Sequence, residues 1–264
     1  MITFAIPAYK EPKYIEELII SLKKQTITCK ILIATSTPNN YLNSIALKNE
    51  IPIYINPFPK YSIADDWNYA LSCVQTKYAV LAHQDDLYRS YYAELMTIEA
   101  ENYPENLITF SFYSEMDNDE IIKSSRLTII KKLILSSAFL GKSVINNNYF
   151  KKITVMFGSA IPCPAVMFNL ENLRYFKFSD YYKVNLDWDA WINLSDTKGS
   201  FVYIPEPLMI HRLHRDSATF TGIIDNKRLN EDKEIFSRLW ITPFDKIISS
   251  FYSQSYKSNI NISH

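Results

Sequence analysis

Glycine is scarce, with only 4 among 264 residues. Gly-rich phosphate loops of the Walker or dinucleotide type are therefore absent, and any phosphate must be held by a metal, side chains or helix ends. Cysteine is scarce too. Cys29, Cys73 and Cys163 are far apart and odd in number, so they form neither a metal-ligand pair nor a disulfide framework, which suits a reducing cytoplasm. An excess of charge is also missing. Lys+Arg and Asp+Glu both number 28, so nothing points to nucleic acid and there is no acidic tail. No apolar run is long enough to span a bilayer, and the opening Ile2–Pro7 carries no basic segment or cleavage site of a signal peptide.

What is present is apolar. Hydrophobic residues make up 47% and aromatics 14%, enough for a sizeable core in one large α/β domain or two small ones sharing a sheet. Ile2–Ile6 reads as a buried strand that Pro7 stops, and Pro12 stands where a first helical turn begins. Ile15, Leu18, Ile19 and Leu22 then fall on one helical face, with Glu16 and Glu17 at its start and Lys23 and Lys24 at its end. Further strands are expected at Ile31–Ala34, Ile51–Ile55 and Tyr78–Ala82, with a capping box of Ser62 and Asp65 opening a helix between the last two. This alternation argues a Rossmann-like, mostly parallel sheet flanked by helices. Beyond it, Tyr91, Leu95 and Ile98 suggest a helix face, Leu107–Tyr113 a strand, and Ser114–Glu120 an acidic turn. Between 121 and 153 only a helical patch at Leu133–Leu140 stands out, with Asn146–Asn148 as a loop; strands or extended segments follow at Ala165–Phe168, Phe201–Ile204 and Leu208–His214, and a helix at Asn185–Ser195. Trp240, Phe244, Ile247, Ile248 and Phe251 recur at helical spacing in a C-terminal appendage.

The chain is organised around Tyr78–Tyr88. A buried strand hands over there to His83, Gln84, Asp85 and Asp86. Adjacent carboxylates repel each other, so a site holding both usually has a cation or strong donors nearby. At the carboxyl end of a strand in an open α/β sheet, the guest that fits is a divalent metal with a phosphate-bearing substrate; a solvated Asp-Asp turn is the bland alternative.

Three landmarks in order resemble the family-two glycosyltransferases. Ile6–Glu11 with Ser21–Thr26 is similar to that family's Pro-x-Tyr-Asn opening and Ser-Leu-x-x-Gln-Thr helix end. Asp66–Ala70 followed by His83–Asp86 resembles its Asn-bearing helix and Asp-x-Asp-Asp metal motif. Leu186–Trp191 resembles its Glu-Asp-x-x-x-Trp segment, and His211–His214 its Arg-x-His loop. The likeness covers Ile2 to Thr219 and implies a GT-A fold, a nucleotide-diphosphate sugar donor (a UDP-sugar first), a Mn²⁺ or Mg²⁺ cofactor and inversion at the anomeric carbon. It also implies a saccharide or lipid-linked saccharide acceptor, of the kind used in bacterial surface polysaccharide or glycoconjugate synthesis. Four positions depart from the pattern: Lys10 for Asn, Thr35 and Ser36 where a base-contacting Asp is common, His83 for the first metal-motif Asp, and Leu186 for Glu.

On that resemblance, Pro7, Ala8, Tyr9, Glu11, Thr35, Asp66, Asn68 and Asp85 are donor-site candidates, and Lys60 and Arg212 possible diphosphate partners. Asp85 is assigned to the ribose or sugar and Asp86 to the metal, with Asp85 and His214 as further ligands. Asp187, at a helix start, is the candidate base, with Asp189 its rival two residues on. Trp188 and Asp189 are acceptor-side candidates, whereas Trp191 and Cys163 read as packing. The expected layout is a donor half at 1–115, an acceptor half at 116–220 and a helical tail at 221–264. The tail's stripe, accompanied by Lys227, Arg228, Lys233, Arg238 and Lys246, fits either a cover for the core or a peripheral contact with an anionic membrane face. A sugar nucleotidyltransferase and a non-catalytic binding module are the rival readings.

Overall fold

A computed structural model describes residues 1–122, 125–214 and 217–260. Its first third alternates as the pattern requires: β1 (Ile2–Ala8), α1 (Ile15–Lys23), β2 (Lys30–Thr35), α2 (Asn40–Asn49), β3 (Ile53–Ile55), α3 (Ile63–Ser72) and β4 (Tyr78–Leu81). Then follow β5 (Leu87–Tyr88), α4 (Tyr92–Asn102), β6 (Asn106–Asp117), β7 (Glu120–Ile122), α5 (Arg126–Phe139), β8 (Val144–Ile145) and α6 (Asn148–Met156). A 3₁₀ turn (Cys163–Ala165) leads into β9 (Val166–Asn169), and the chain closes with α7 (Leu186–Asp196), β10 (Ser200–Arg212), α8 (Ala218–Ile224), α9 (Lys227–Leu239) and α10 (Phe244–Ile260).

The sheet runs β3-β2-β1-β4-β9-β6-β10-β5. β1, β2, β3 and β4 are parallel, as are β6 and β10, while β9 lies antiparallel between β4 and β6. This is the GT-A arrangement, a mostly parallel sheet with one apolar cluster on each face. The central strands β1, β4 and β9 are buried on both sides, which is why they read as continuous apolar runs.

Several sequence expectations change. Pro7 does not stop β1: it pairs with Ala34, and the strand runs one residue further. The Ser62 hydroxyl accepts from Asp65 N at 3.1 Å, but the Asp65 carboxylate accepts from Asn56 Nδ2 and Lys60 N, each at 2.9 Å, so the capping box is half made. On α4, Tyr91 and Ile98 are exposed and the buried face is Tyr92, Ala93, Met96 and Ala100. Small alanines allow close approach there, and a reading built on large apolar residues misses them. The acidic turn is shorter than expected, because β6 continues through Asp117 and only Asn118 and Asp119 take the left-handed conformation. A boundary at residue 115 therefore falls inside a strand. Asn147 caps α6 through its side chain rather than sitting in a loop.

The C-terminal helices are part of the body. Tyr252 of α10 packs on Trp188 and Phe236, with ring centroids 5.6 and 5.5 Å apart. Gly158 makes room for it, since a Cβ there would lie 2.4 Å from the ring. The expected apolar stripe is split: Trp240 and Ile248 join the core, whereas Phe244 and Phe251 are 52% and 70% exposed. Residues 261–264 of the tail lie outside the described residues. Tyr252→Ala should destabilise the chain by roughly 3–5 kcal/mol in urea unfolding, and Phe251→Ala by less than about 0.5 kcal/mol. The reverse order would mean that the other face of α10 is the packed one.

Candidate active site

The loops after β1, β2 and β4 meet at the carboxyl edge of the sheet, where parallel sheets bind ligands. They are tied by polar contacts. Tyr9 N donates to Gln84 Oε1 at 2.9 Å, Lys10 N to Thr37 Oγ1 at 2.6 Å, and Asn39 Nδ2 to the Lys10 carbonyl at 2.7 Å. Thr35 is buried, and its hydroxyl accepts from Thr37 N at 3.0 Å, shaping the second loop. An open cleft of about 600 Å³ lies there, lined by Lys10, Glu11, Thr37, Pro38 and Asn39. Asp66 stands at the start of α3; burial raises its pKa, the neighbouring Ser36 opposes this, and its Oδ1 is buried without a partner among the described residues.

The turn after β4 carries the acidic cluster. Asp86 is 0% exposed. Its Oδ1 accepts from His211 Nδ1 at 2.9 Å and from Arg212 N at 3.2 Å, both at the end of β10. Its Oδ2 has no partner among the described residues. Burial works against the charged His211 ring, yet Asp86, Asp85 and Glu115 outweigh it and push the pKa up to about 9, so His211 is the donor at neutral pH. His214 Nε2 lies 2.7 Å from Asp85 Oδ2. Burial works against the ionised form of Asp85 as well, but the hydrogen bond from His214 and the neighbouring histidines hold its pKa below the usual value. His83, Asp85 and Asp86 each offer a ligand atom, all within 4.8 Å of one another. Two carboxylates and an imidazole, with a buried oxygen and a buried nitrogen lacking partners, fit a divalent cation.

Asp187 begins α7, with Trp188 N donating to its Oδ1 at 2.7 Å. Burial raises its pKa, while Arg228, the Trp188 backbone, Lys131 and His83 pull it down. Asp187 in turn favours the charged form of His83. Lys131 of α5 donates to the Tyr113 hydroxyl at 2.9 Å, and burial lowers its pKa to about 8 against the pull of Glu115 and Asp187. The approach to α7 is held from α9: the Glu231 carboxylate accepts from Lys183 N, Val184 N and Asn185 N at 2.7, 3.1 and 2.9 Å.

Other candidates lie elsewhere or do other work. Asn68 has both ends of its amide engaged by the Phe178 backbone, at 2.9 and 2.8 Å, which makes it a tie between segments. Arg212 is bound by Glu17 at 2.5 Å and Asp119 at 2.6 Å, lies 4.1 Å over the Tyr14 ring, and donates to the Asp85 carbonyl at 3.3 Å. It braces the acidic turn, with its charge already matched. Trp188 is packed in the core, its Nε1 donating to the Val155 carbonyl at 2.9 Å, so it lines no acceptor path. Trp191 packs as expected. Asp189 is buried and paired with Arg238 at 2.7 Å, pointing away from Asp187 as helix geometry requires. Tyr9 and Lys60 are exposed at the rim. Lys131, Glu115 and Glu231 join the site without any signal in local spacing, because each arrives from a distant element, whereas His211 opens the His211–His214 segment.

A family model described as glycosyl transferase family 2 matches residues 3–164. The chain belongs to that family. No protein of curated function matches it. Among solved structures, Staphylococcus aureus TarS 1-349 is similar at 13% identity and a TM-score of 0.63, over 87% of this chain and 65% of that one. The chain spans 39% of the longer TarS structure. A mannosyltransferase from Pyrobaculum calidifontis, in complex with GDP-Man and Mn²⁺, is similar at 13% identity and a TM-score of 0.59, over 97% and 69%. Glucosyl-3-phosphoglycerate synthase from Mycobacterium tuberculosis is similar at 13% identity and a TM-score of 0.54, over 86% and 78%.

Lys131→Met removes a cation that helps keep Asp187 ionised, so the Asp187 pKa should rise. For sugar transfer with Asp187 as base, the acid limb of the rate–pH profile should move to higher pH. An acid limb unmoved by the substitution would separate Lys131 from that carboxylate.

Proposed function

We propose that this chain transfers a sugar from a nucleotide-diphosphate donor to a hydroxyl acceptor with inversion at the anomeric carbon. The observation that carries the reading is the pairing of the His83–Asp86 cluster with the carboxylate of Asp187, whose charge acts on His83 and whose own pKa burial raises. An inverting transfer needs that arrangement, with leaving-group stabilisation on one side and a base on the other.

The division of labour follows from position. Glu11 lines the cleft at the sheet edge, and Pro7, Ala8, Tyr9 and Thr35 stand at or just after the ends of β1 and β2; these would receive the nucleoside, with Asp66 and Asp85 on the ribose or sugar. Lys60, exposed on the loop before α3, is the remaining candidate for the diphosphate. Asp86, Asp85 and His214 would hold Mn²⁺ or Mg²⁺, which when bound offsets the charge growing on the leaving diphosphate. Asp187 accepts the proton of the acceptor hydroxyl as its oxygen bonds to the anomeric carbon and the bond to the diphosphate breaks. Burial, which raises the Asp187 pKa, makes it a better base than a solvated aspartate. Residues 1–115 would thus serve the donor and 116–220 the acceptor, with the helices after 220 bracing the second part.

TarS has been captured with UDP and with UDP-GlcNAc, and the Pyrobaculum enzyme with GDP-Man and Mn²⁺. These support a nucleotide-sugar donor here, with a UDP-sugar the first to try. A saccharide or lipid-linked saccharide of bacterial surface polysaccharide synthesis is the acceptor class we propose. Among the described residues no helix is long and apolar enough to cross a membrane. A peripheral contact is supported by Ile241, 77% exposed, beside the exposed Phe244, Phe251 and Lys246.

Asp187→Asn should leave donor affinity nearly unchanged and lower transfer on the order of 10²–10⁴-fold. Asp189→Asn should act mainly on stability, through its ion pair with Arg238. The product should carry the configuration opposite to the donor's; a retained configuration, or parental rates from Asp187→Asn, would exclude the mechanism. In sedimentation with anionic liposomes, Phe244→Ser with Phe251→Ser should reduce the bound fraction; equal partitioning of parent and variant would remove the membrane contact.

A further inference from the structure

A helix at a protein surface normally turns a polar face to water, and α5 does not. Its inner side is filled by Leu127, Ile134, Leu135 and Ala138. On the other side Arg126, Ile129, Ile130, Leu133 and the C-cap Leu140 fall within an arc of about 100° at helical spacing. The four aliphatic side chains of that arc are 45–65% exposed. They add little to the core, so packing gives no reason for them, and a contiguous exposed apolar stripe marks a contact surface.

The charge around the stripe is one-sided. The whole chain is balanced, yet residues 121–170 hold seven Lys and Arg and no Asp or Glu. Three of the seven are engaged: Lys151 donates to the Thr197 and Gly199 carbonyls, Lys152 pairs with Asp196, and Lys131 turns inward to the Tyr113 hydroxyl. Arg126 and Lys132 on α5, and Lys142 just after it, are exposed and have no ion pair among the described residues. Aliphatic side chains flanked by unpaired cations suit the boundary of an anionic bilayer, where the former meet acyl chains and the latter headgroups. A second copy docked on this face across a two-fold axis would instead set the same cations against each other.

We propose that the outward face of α5 is a docking surface for an anionic lipid bilayer, with Ile129, Ile130 and Leu133 at the acyl boundary and Arg126, Lys132 and Lys142 at the headgroups. This rests on the peripheral contact proposed for the tail and extends it, since α10 packs beside α5. Lys131, on the inner side of α5, acts on the Asp187 carboxylate. Docking therefore holds the acceptor side of the site about one helix diameter, roughly 10 Å, from the lipid. Of the proposed acceptor classes, that position favours the lipid-linked saccharide.

The test uses the whole chain and vesicles alone, with no donor or acceptor. The parent should sediment with vesicles of mixed phosphatidylglycerol and phosphatidylcholine, and far less with phosphatidylcholine alone. Ile129→Ser with Leu133→Ser should weaken partitioning at least about tenfold, because two aliphatic side chains leave the acyl boundary. Arg126→Glu with Lys132→Glu should weaken it by a similar factor on the anionic vesicles, and decides the matter should the first pair fail to fold. All four side chains are exposed, so the urea midpoints should stay near the parental value. Parental partitioning in either folded pair overturns the proposal, as does binding by the parent that ignores lipid charge. So does a parental dimer, seen by sedimentation velocity without vesicles, that the serine pair dissolves. Loss of binding in the Phe244–Phe251 variant alone would keep the tail's contact and remove α5 from it, whereas a parent that binds no vesicle would remove both. Vesicle binding that follows these expectations in a chain without sugar transfer would count against the transferase reading alone.

Discussion

A carboxylate with no exposed surface must find its compensation within the protein, and Asp86 is such a group. Its partners are His211 and the amide of Arg212, both at the last turn of β10. That requirement brings the end of β10 against the turn after β4, although β9 and β6 stand between the two strands in the sheet. The Arg212 side chain then closes the arrangement by pairing with Glu17 of α1 and Asp119 of the β6–β7 hairpin while donating to the Asp85 carbonyl. Glu17 and Asp119 reach Arg212 from the surface, so the buried charges are those of Asp86 and Arg212, and the turn is held from three directions.

The second constraint runs from the C-terminal helices into α7. Glu231 collects three consecutive amides ahead of that helix, Asp232 accepts from Asn185 Nδ2 at 2.8 Å, and Arg238 neutralises buried Asp189. Orphan amides at a helix entry must be satisfied by something, and here the partner comes from more than forty residues later in sequence. The segment that resembles an appendage is therefore part of the scaffold that sets Asp187. The exposure of its Phe244 and Phe251 is a separate property.

The electrostatics follow from these placements. Asp187 is pushed up by burial and held back by Arg228, Lys131 and His83, whereas His211 is charged because the carboxylates around it outweigh its burial. Titratable groups with environments that move them in opposite directions are the usual setting for proton transfer. Lys131, moved down to about 8, is the least expected member, since α5 has no charged pattern that separates Lys131 from Lys132.

The sequence by itself determined the alternation of elements through β4, the apolar face of α1, the acidic turn and the position of Asp187. These depend on local periodicity and on the order of short motifs, both of which are written along the chain. It also marked Trp191 and Cys163 as packing residues, and the structure buries both. The tertiary structure decided which polar groups remain available. Arg212, Asn68 and Trp188 are occupied by Glu17, Phe178 and Val155, partners that no spacing rule identifies. His83 and Asp86 each keep one buried atom open among the described residues, and Lys131 and Glu231 reach the site from distant helices. A hydrogen bond joins two atoms wherever the fold brings them, so its partner is fixed only once the sheet order and the helix docking are known.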